Sequence, residues 1–179
     1  CFSCVASVAD DALLPVWDLV RDAGELSARL NRDGFLPLDT AHAFEVPASA
    51  VKDPSAFVVE MKVAATKDVQ RRQLMLLDQD SEAGGWALRT LRWNAAGNGL
   101  FFRHGGSEFE AGEGVIAAGE EATVVMAVRD GLVRIYFNGR PMKRFHARIG
   151  PCDSPIRVGR TKLRKRDTVK EISGLRLKS

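Results

Sequence analysis

Tyrosine occurs once in these 179 residues, and histidine and cysteine three times each. That scarcity removes several chemistries. His42, His104 and His146 are scattered and form no His-Glu-x-x-His zinc motif. Cys1, Cys4 and Cys152 supply one Cys-x-x-Cys, but no second pair exists to complete a tetrahedral zinc site. No βα unit follows that pair, so a thioredoxin-like reading has no support. There is no Gly-x-Ser-x-Gly elbow and no phosphate loop. No apolar run approaches the roughly 18 residues that a membrane span needs. Neither charge sign dominates: the net charge is +3 with 27% charged residues, so no general nucleic-acid role is forced. Internal repeats, linkers and signals for helices longer than two turns are also missing.

What is present is a series of short apolar runs punctuated by turns. The clearest is 121–139, EATVVMAVRDGLVRIYFNG. Two runs, Thr123–Val128 and Val133–Phe137, flank Arg129-Asp130-Gly131-Leu132, and Asp-Gly between such runs is the strongest short-range hairpin signal. Val133, Ile135 and Phe137 alternate with Arg134 and Tyr136. That is the period of a strand with one buried and one wet face. Asn138-Gly139 closes the second run.

The rest of the chain reads similarly. Ala12–Val20 and Glu25–Leu30 are expected as strands, with a turn at Asn31-Arg32-Asp33-Gly34. Ala41–Val46 ends at Pro47, and Asp53-Pro54 turns into Phe57–Val63. In that strand Phe57, Val59, Met61 and Val63 point in, and Glu60 and Lys62 point out. Gln73–Leu77 is followed by an acidic loop, Asp78–Glu82. Trp86–Trp93 and Leu100–His104 flank a turn at 94–99. Trp86 shares a face with Leu88, and Trp93 shares the other with Arg89 and Leu91. Ser107–Glu120 reads as a Gly-rich acidic loop, and Pro155–Gly159 and Glu171–Leu177 as the closing strands. Many short strands spaced by turns argue for an all-β sandwich or barrel. A chain of this length suits one domain and buries roughly 70% of its unfolded surface, enough for a core without staples.

The ordered set of strings resembles the concanavalin A-like, laminin-G-like jelly rolls. The strings are AFEVPASAVKDPSAFVVEMKV (43–63), GGWALRTL (84–91), NGLFFRHGG (98–106), AGEEATVVMAVRDGLVRIYFNGRPM (118–142), PIRVGR (155–160) and KEISGLRL (170–177). The resemblance covers most of 35–177. It implies a two-sheet antiparallel β-sandwich and a choice among three functions. The first is a non-catalytic carbohydrate-binding or adhesion module, part of a larger secreted glycan-processing protein such as a sialidase. The second is a divergent glycoside hydrolase. The third is a structural, protein-binding sandwich. The implied location is secreted, periplasmic or cell surface.

A hydrolase of this superfamily carries its acids on one strand, as Glu-x-Asp-x-x-Glu or Glu-x-Asp-x-Glu. The nearest match, Glu108-Phe109-Glu110-Ala111-Gly112-Glu113, lacks the Asp, and Gly112-Glu113-Gly114 is a poor continuation of a strand. For glycan binding the useful groups are an aromatic face and planar polar side chains. The candidates are Arg134, Tyr136, Arg103, Arg89, Trp93 and His104, expected to line one groove on the wet face of the hairpin sheet. Arginine also suits an acidic sugar. Relatives of this type often hold Ca2+ on loop oxygens, which makes Asp78, Asp80 and Glu82 the metal candidates. The basic stretch Arg157–Lys170 reads as a solvated loop or an attractor of anionic glycans. It has neither interleaved aromatics nor a groove-fitting helix, so nucleic acid is not expected.

Residues 1–11 read either as a signal-peptide remnant, with Ser7-Val8-Ala9 in small-x-small form before Asp10, or as a first strand; 12–179 is expected to be the domain. A disulfide from Cys1 or Cys4 to Cys152 would suit a secreted chain, and free thiols fit equally.

Overall fold

A computed structural model describes residues 17–22, 24–30, 32, 36–37, 44–64, 74–80, 84–94, 97–113, 121–158 and 171–178. Fourteen strands appear among them, in two antiparallel sheets. The first sheet has the order β1 (Trp17–Asp18), β14 (Glu171–Lys178), β4 (Ala56–Ala64), β9 (Glu121–Arg129), β10 (Leu132–Phe137) and β11 (Arg140–Pro141). The short strands β2 (Leu36–Pro37) and β12 (Phe145–His146) attach to β14 and β10. The second has the order β3 (Phe44–Val46), β13 (Ile156–Val158), β5 (Leu74–Gln79), β6 (Trp86–Asn94), β7 (Gly97–His104) and β8 (Ser107–Glu113). The expected all-β two-sheet sandwich is therefore the architecture.

Side-chain alternation builds the core. Phe57, Val59, Met61 and Val63 of β4 are buried, as are Ala122, Val124, Met126 and Val128 of β9 and Val133, Ile135 and Phe137 of β10. They meet Leu77, Trp86, Leu88, Leu100 and Phe102 of the second sheet in one cluster. Aromatic contacts stitch the layers together. Phe57 meets Trp86 at 5.7 Å between ring centroids, Trp17 meets Phe44 at 6.1 Å, and Phe145 meets Phe102 at 6.2 Å. Each pair takes one ring from each sheet, so the rings fix how the two faces interlock.

The central hairpin forms as its sequence indicates. Arg129 pairs with Leu132, and Asp130 and Gly131 take φ of 51° and 77°. Positive φ at both central positions is a type I′ turn, whose twist matches that of the strands; glycine reaches it without strain, and Asp tolerates it better than most residues do. The turn is held at both ends: Asp130 N–H donates to Ser55 O at 2.9 Å, and Ala147 N–H donates to Gly131 O at 2.9 Å.

Four local expectations are corrected. Gly24–Arg29 is a 3-10 helix rather than a strand. Gly24 turns the chain with φ 54°, so the alternating residues that follow have no ladder partner. Of Ala12–Val20, only Trp17–Asp18 is strand; Leu19–Asp22 is a helical turn, closed by Asp18 N–H donating to Asp22 Oδ2 at 2.6 Å, and 12–16 lie outside the described residues. Asp78 and Gln79 belong to β5 and not to a loop. Ser107–Glu113 is a strand, because a register shift at Leu100/Phe101 absorbs Gly112 at φ 134°. Lys143 N–H bonds Ala111 O at 2.8 Å along this edge, so β8 does not present a bare ladder.

Residues 1–11, the turn at 31–34 apart from Arg32, and the basic stretch beyond Val158 to Lys170 lie outside the described residues. Cys152 is a free, half-buried thiol, its Sγ 3.7 Å from Gln79 O.

Candidate functional site

The expected single groove divides between the two sheets. Arg134 is exposed and Tyr136 half-buried on the outer face of β10, in the first sheet. Arg89 and Arg103 sit on β6 and β7, in the second sheet. Both sheets turn their inner faces to one core, so their outer faces look in opposite directions. Tyr136 and Arg103 therefore cannot touch one ligand. Period-two alternation says which side of its own sheet a residue occupies, but not which sheet its hairpin joins.

His104 also leaves the set. It shares the inward face with Phe102, stacking on that ring at 6.5 Å between centroids. Its Nδ1–H donates to Gly85 O at 2.8 Å. Trp93 lies where the β6–β7 register shifts, between Arg92 and Asn94, and its side chain is outside the described set. Trp86 is fully buried beside Leu88, as their shared face indicated.

The metal candidates separate as well. Asp78 is a strand residue. Asp80 takes φ 49° and accepts a hydrogen bond from Ser154 Oγ at 3.2 Å. Glu82 is outside the described residues, and among the described ones no group of three or more His, Cys, Asp or Glu is placed to hold a metal ion.

What the second sheet does assemble is a charged row across six strands. Strand register aligns Glu45, Arg157, Asp78, Ala87, Arg103 and Glu108 from β3 to β8. Arg89 stands in the next row, opposite Phe101, which in turn faces Glu110. The middle of the row is sunken despite lying on an outward face, while Glu45 and Glu108 at its two ends are exposed. Asp78 is 4% exposed and Ala87 1%. The Arg157 and Arg89 side chains keep only 13% and 14% of their exposure. Arg89 Nη2 pairs with Glu108 Oε1, and Arg157 Nε lies 3.5 Å from Glu45 Oε1. Phe101 leans over Gly99, where a Cβ would fall 2.5 Å from the ring. Charges held in ion pairs at low exposure cost solvation, and geometry fixed in that way is what a binding floor requires.

Glu108 and Glu110 share this face two residues apart. The position that would extend them into an acid triad is Gly112, and Glu108 is already engaged by Arg89.

Arg157 was absent from the candidates because it also heads a basic run, although Pro155–Gly159 was expected as a closing strand; its bracketing by Ile156 and Val158, both buried, puts it on the outer face. Glu45, between the buried Phe44 and Val46, is placed in the same way.

No protein-family model and no curated protein matches the sequence. Solved structures do. Domain 4 of AbnA, a GH43 extracellular arabinanase from Geobacillus stearothermophilus solved with arabinotriose, superposes with a TM-score of 0.59 at 12% identity; the match covers 80% of this chain and 69% of that one. Galectin LEC-6 of Caenorhabditis elegans gives 0.52 at 12% identity, covering 82% and 97%. The fold is a concanavalin A-like jelly roll. A Trypanosoma rangeli sialidase solved with sialic acid gives 0.60 at 14% identity, covering 81% of this jelly roll but 25% of the sialidase chain. At such identities the likeness extends to the fold alone. Among the described residues no helix is long and apolar enough to cross a membrane.

Proposed function

We propose that this chain is a non-catalytic carbohydrate-binding module whose ligand lies on the outer face of β13, β5, β6, β7 and β8. The observation that carries the reading is the row of Arg157, Asp78, Arg103 and Glu108, sunken at Arg157 and Asp78, with Arg89 beside it. Sugar hydroxyls both donate and accept. A surface recognises them best with planar donors and carboxylate acceptors alternating at fixed positions. Outer-face charges with no binding role usually extend into water; Asp78, Arg89 and Arg157 are drawn in, and the two arginines are braced by Glu108 and Glu45. In this reading Arg89, braced by Glu108, and Arg103 are the donors, and Asp78 and Glu108 the acceptors.

One jelly roll of comparable fold supports the same direction, since domain 4 of the arabinanase was solved with arabinotriose. By extension the module belongs to a larger secreted or cell-surface glycan-processing protein, with residues 12–179 as its single domain.

A glycan array tests the reading. The parent chain should bind, and Arg89→Ala with Arg103→Ala should abolish binding. Arg134→Ala with Tyr136→Ala, on the opposite side of the sandwich, should leave it unchanged. Loss of binding in the second double variant and not in the first would move the site to the first sheet. A parent chain that binds no glycan would leave the protein-binding sandwich as the better account.

A further inference from the structure

We infer that the bound sugar is uncharged and oligomeric, and that Arg157 anchors its end nearest β3. The inference rests on the carbohydrate reading and adds the ligand's charge, length and one contact.

Charge comes first. Among the described side chains of this face, three guanidiniums (Arg89, Arg103, Arg157) stand against four carboxylates (Glu45, Asp78, Glu108, Glu110). Among these described side chains the charge is compensated, with a slight excess of negative. A carboxylated or sulfated sugar laid along this face would have to approach Asp78, which is 4% exposed and weakly screened, and the exposed Glu108 beside it. A neutral hydroxyl meets no such opposition: it donates to a carboxylate and accepts from a guanidinium. The expectation of an acidic sugar came from the charge and planar geometry of arginine. Strand register puts a carboxylate next to Arg103 and Arg157, and Arg89 reaches Glu108 through its side chain.

Length comes next. Arg157 and Arg103 are separated by the widths of β5 and β6, so three strand spacings lie between them, about 14 Å. That exceeds one sugar ring, and a ligand touching both ends has at least two residues lying across the strands.

The contact comes from an orphaned donor. Among the described residues, Arg157 Nη1 is buried without a hydrogen-bond partner, and this guanidinium makes one ion pair, by Nε at 3.5 Å to Glu45. Burying an N–H without an acceptor is unfavourable, so such groups are nearly always satisfied. A turn of the guanidinium would bring Nη1 to the surface, where a sugar hydroxyl or ring oxygen laid over the β13 end of the row would supply the missing acceptor. Arginine supplies a fixed planar fork there, and lysine would not.

Calorimetric titration of the whole chain with arabinotriose, galactotriose and trigalacturonate tests this, the last two differing in carboxylates. At least one neutral trisaccharide should bind, with little dependence on salt, and trigalacturonate should bind at least about tenfold more weakly than galactotriose. Arg157→Lys, which keeps the charge and loses the fork, should weaken the neutral ligand about tenfold or more. Should Arg157→Lys fail to fold, Glu45→Gln replaces it: removing that charge should strengthen trigalacturonate and leave the neutral sugar within about threefold. Tighter binding of the acid, or an Arg157→Lys chain that binds as the parent does, overturns the inference; so does a Glu45→Gln chain with unchanged affinity for the acid. In each of those cases the carbohydrate reading survives if Arg89→Ala with Arg103→Ala still abolishes binding. Failure of all three trisaccharides to bind overturns both.

Discussion

Gly85→Ala adds one carbon at the join between β5 and β6, and its cost follows from the contacts around it. A Cβ there would stand 1.5 Å from Gln79 O, 2.8 Å from Gln79 C and 3.1 Å from Asp80 O. An ordinary contact begins near 3.4 Å, so the obstructing atoms must withdraw substantially, and they are backbone, not a flexible side chain. The same movement strains Gly85 N–H donating to Asp80 O at 3.1 Å and His104 Nδ1–H donating to Gly85 O at 2.8 Å. Overpacking costs about 1–3 kcal/mol, and two weakened hydrogen bonds add about 1 kcal/mol each. The stiffer unfolded chain returns about 0.4–1 kcal/mol. The net expectation is a destabilisation of about 2–4 kcal/mol, or a fall in Tm of about 5–15 °C for a chain of this size. Urea denaturation and a thermal melt measure it. Gly150→Ala is the control, since a Cβ there meets nothing within 4 Å. It should be neutral or stabilising by up to about 1 kcal/mol. A Gly85→Ala chain within about 0.5 kcal/mol of the parent would refute the packing described at this join.

Ile135, fully buried at the centre of the hairpin, should cost about 2–5 kcal/mol on truncation to Ala, read by urea denaturation; no loss would mean the faces of β10 are exchanged. Asp53 accepts from the Ser55 hydroxyl and then from the Ser55 amide, which hold its carboxyl below the ordinary value of 3.8. A lowered folded-state pKa contributes stability above the unfolded value and loses it as pH falls through the folded one. The stability gap between the parent and Asp53→Ala should therefore be full at neutral pH and shrink below about pH 4; a constant gap would contradict the assignment. Reducing-end release from a polysaccharide panel should be absent, and release that disappears in Glu108→Gln or Glu110→Gln would show a hydrolase instead.

Local elements were legible where pattern and turn chemistry agreed. Asp130-Gly131 between alternating runs announced its hairpin, and alternation tied Trp86 to the face of Leu88, which is buried. Sheet membership was not legible, because the two hairpins at 86–104 and 121–137 carry the same alternation and nothing local says that they lie in different layers. β8 was hidden by its three glutamates and Gly112, which read as loop until a bulge lets glycine stay in a strand. Glu25–Leu30 failed for the opposite reason: its alternation was genuine, but no neighbouring strand was there to complete a ladder. The candidate site was half legible. Arg89 and Arg103 were found from their strands. Arg157 and Glu45 become site residues only through the register of β13 with β3 and β5, contacts between segments 112 and 79 residues apart in sequence (157 − 45 and 157 − 78).

The most direct test of the central claim is to map the ligand on the amide spectrum of the isotope-labelled chain. Titration with a neutral trisaccharide that binds should shift the amides of Arg157, Asp78, Ala87, Arg89, Arg103 and Glu108, and leave those of Val125, Ala127, Arg134 and Tyr136 in place. Shifts concentrated on β9 and β10, with the second sheet silent, would contradict the account.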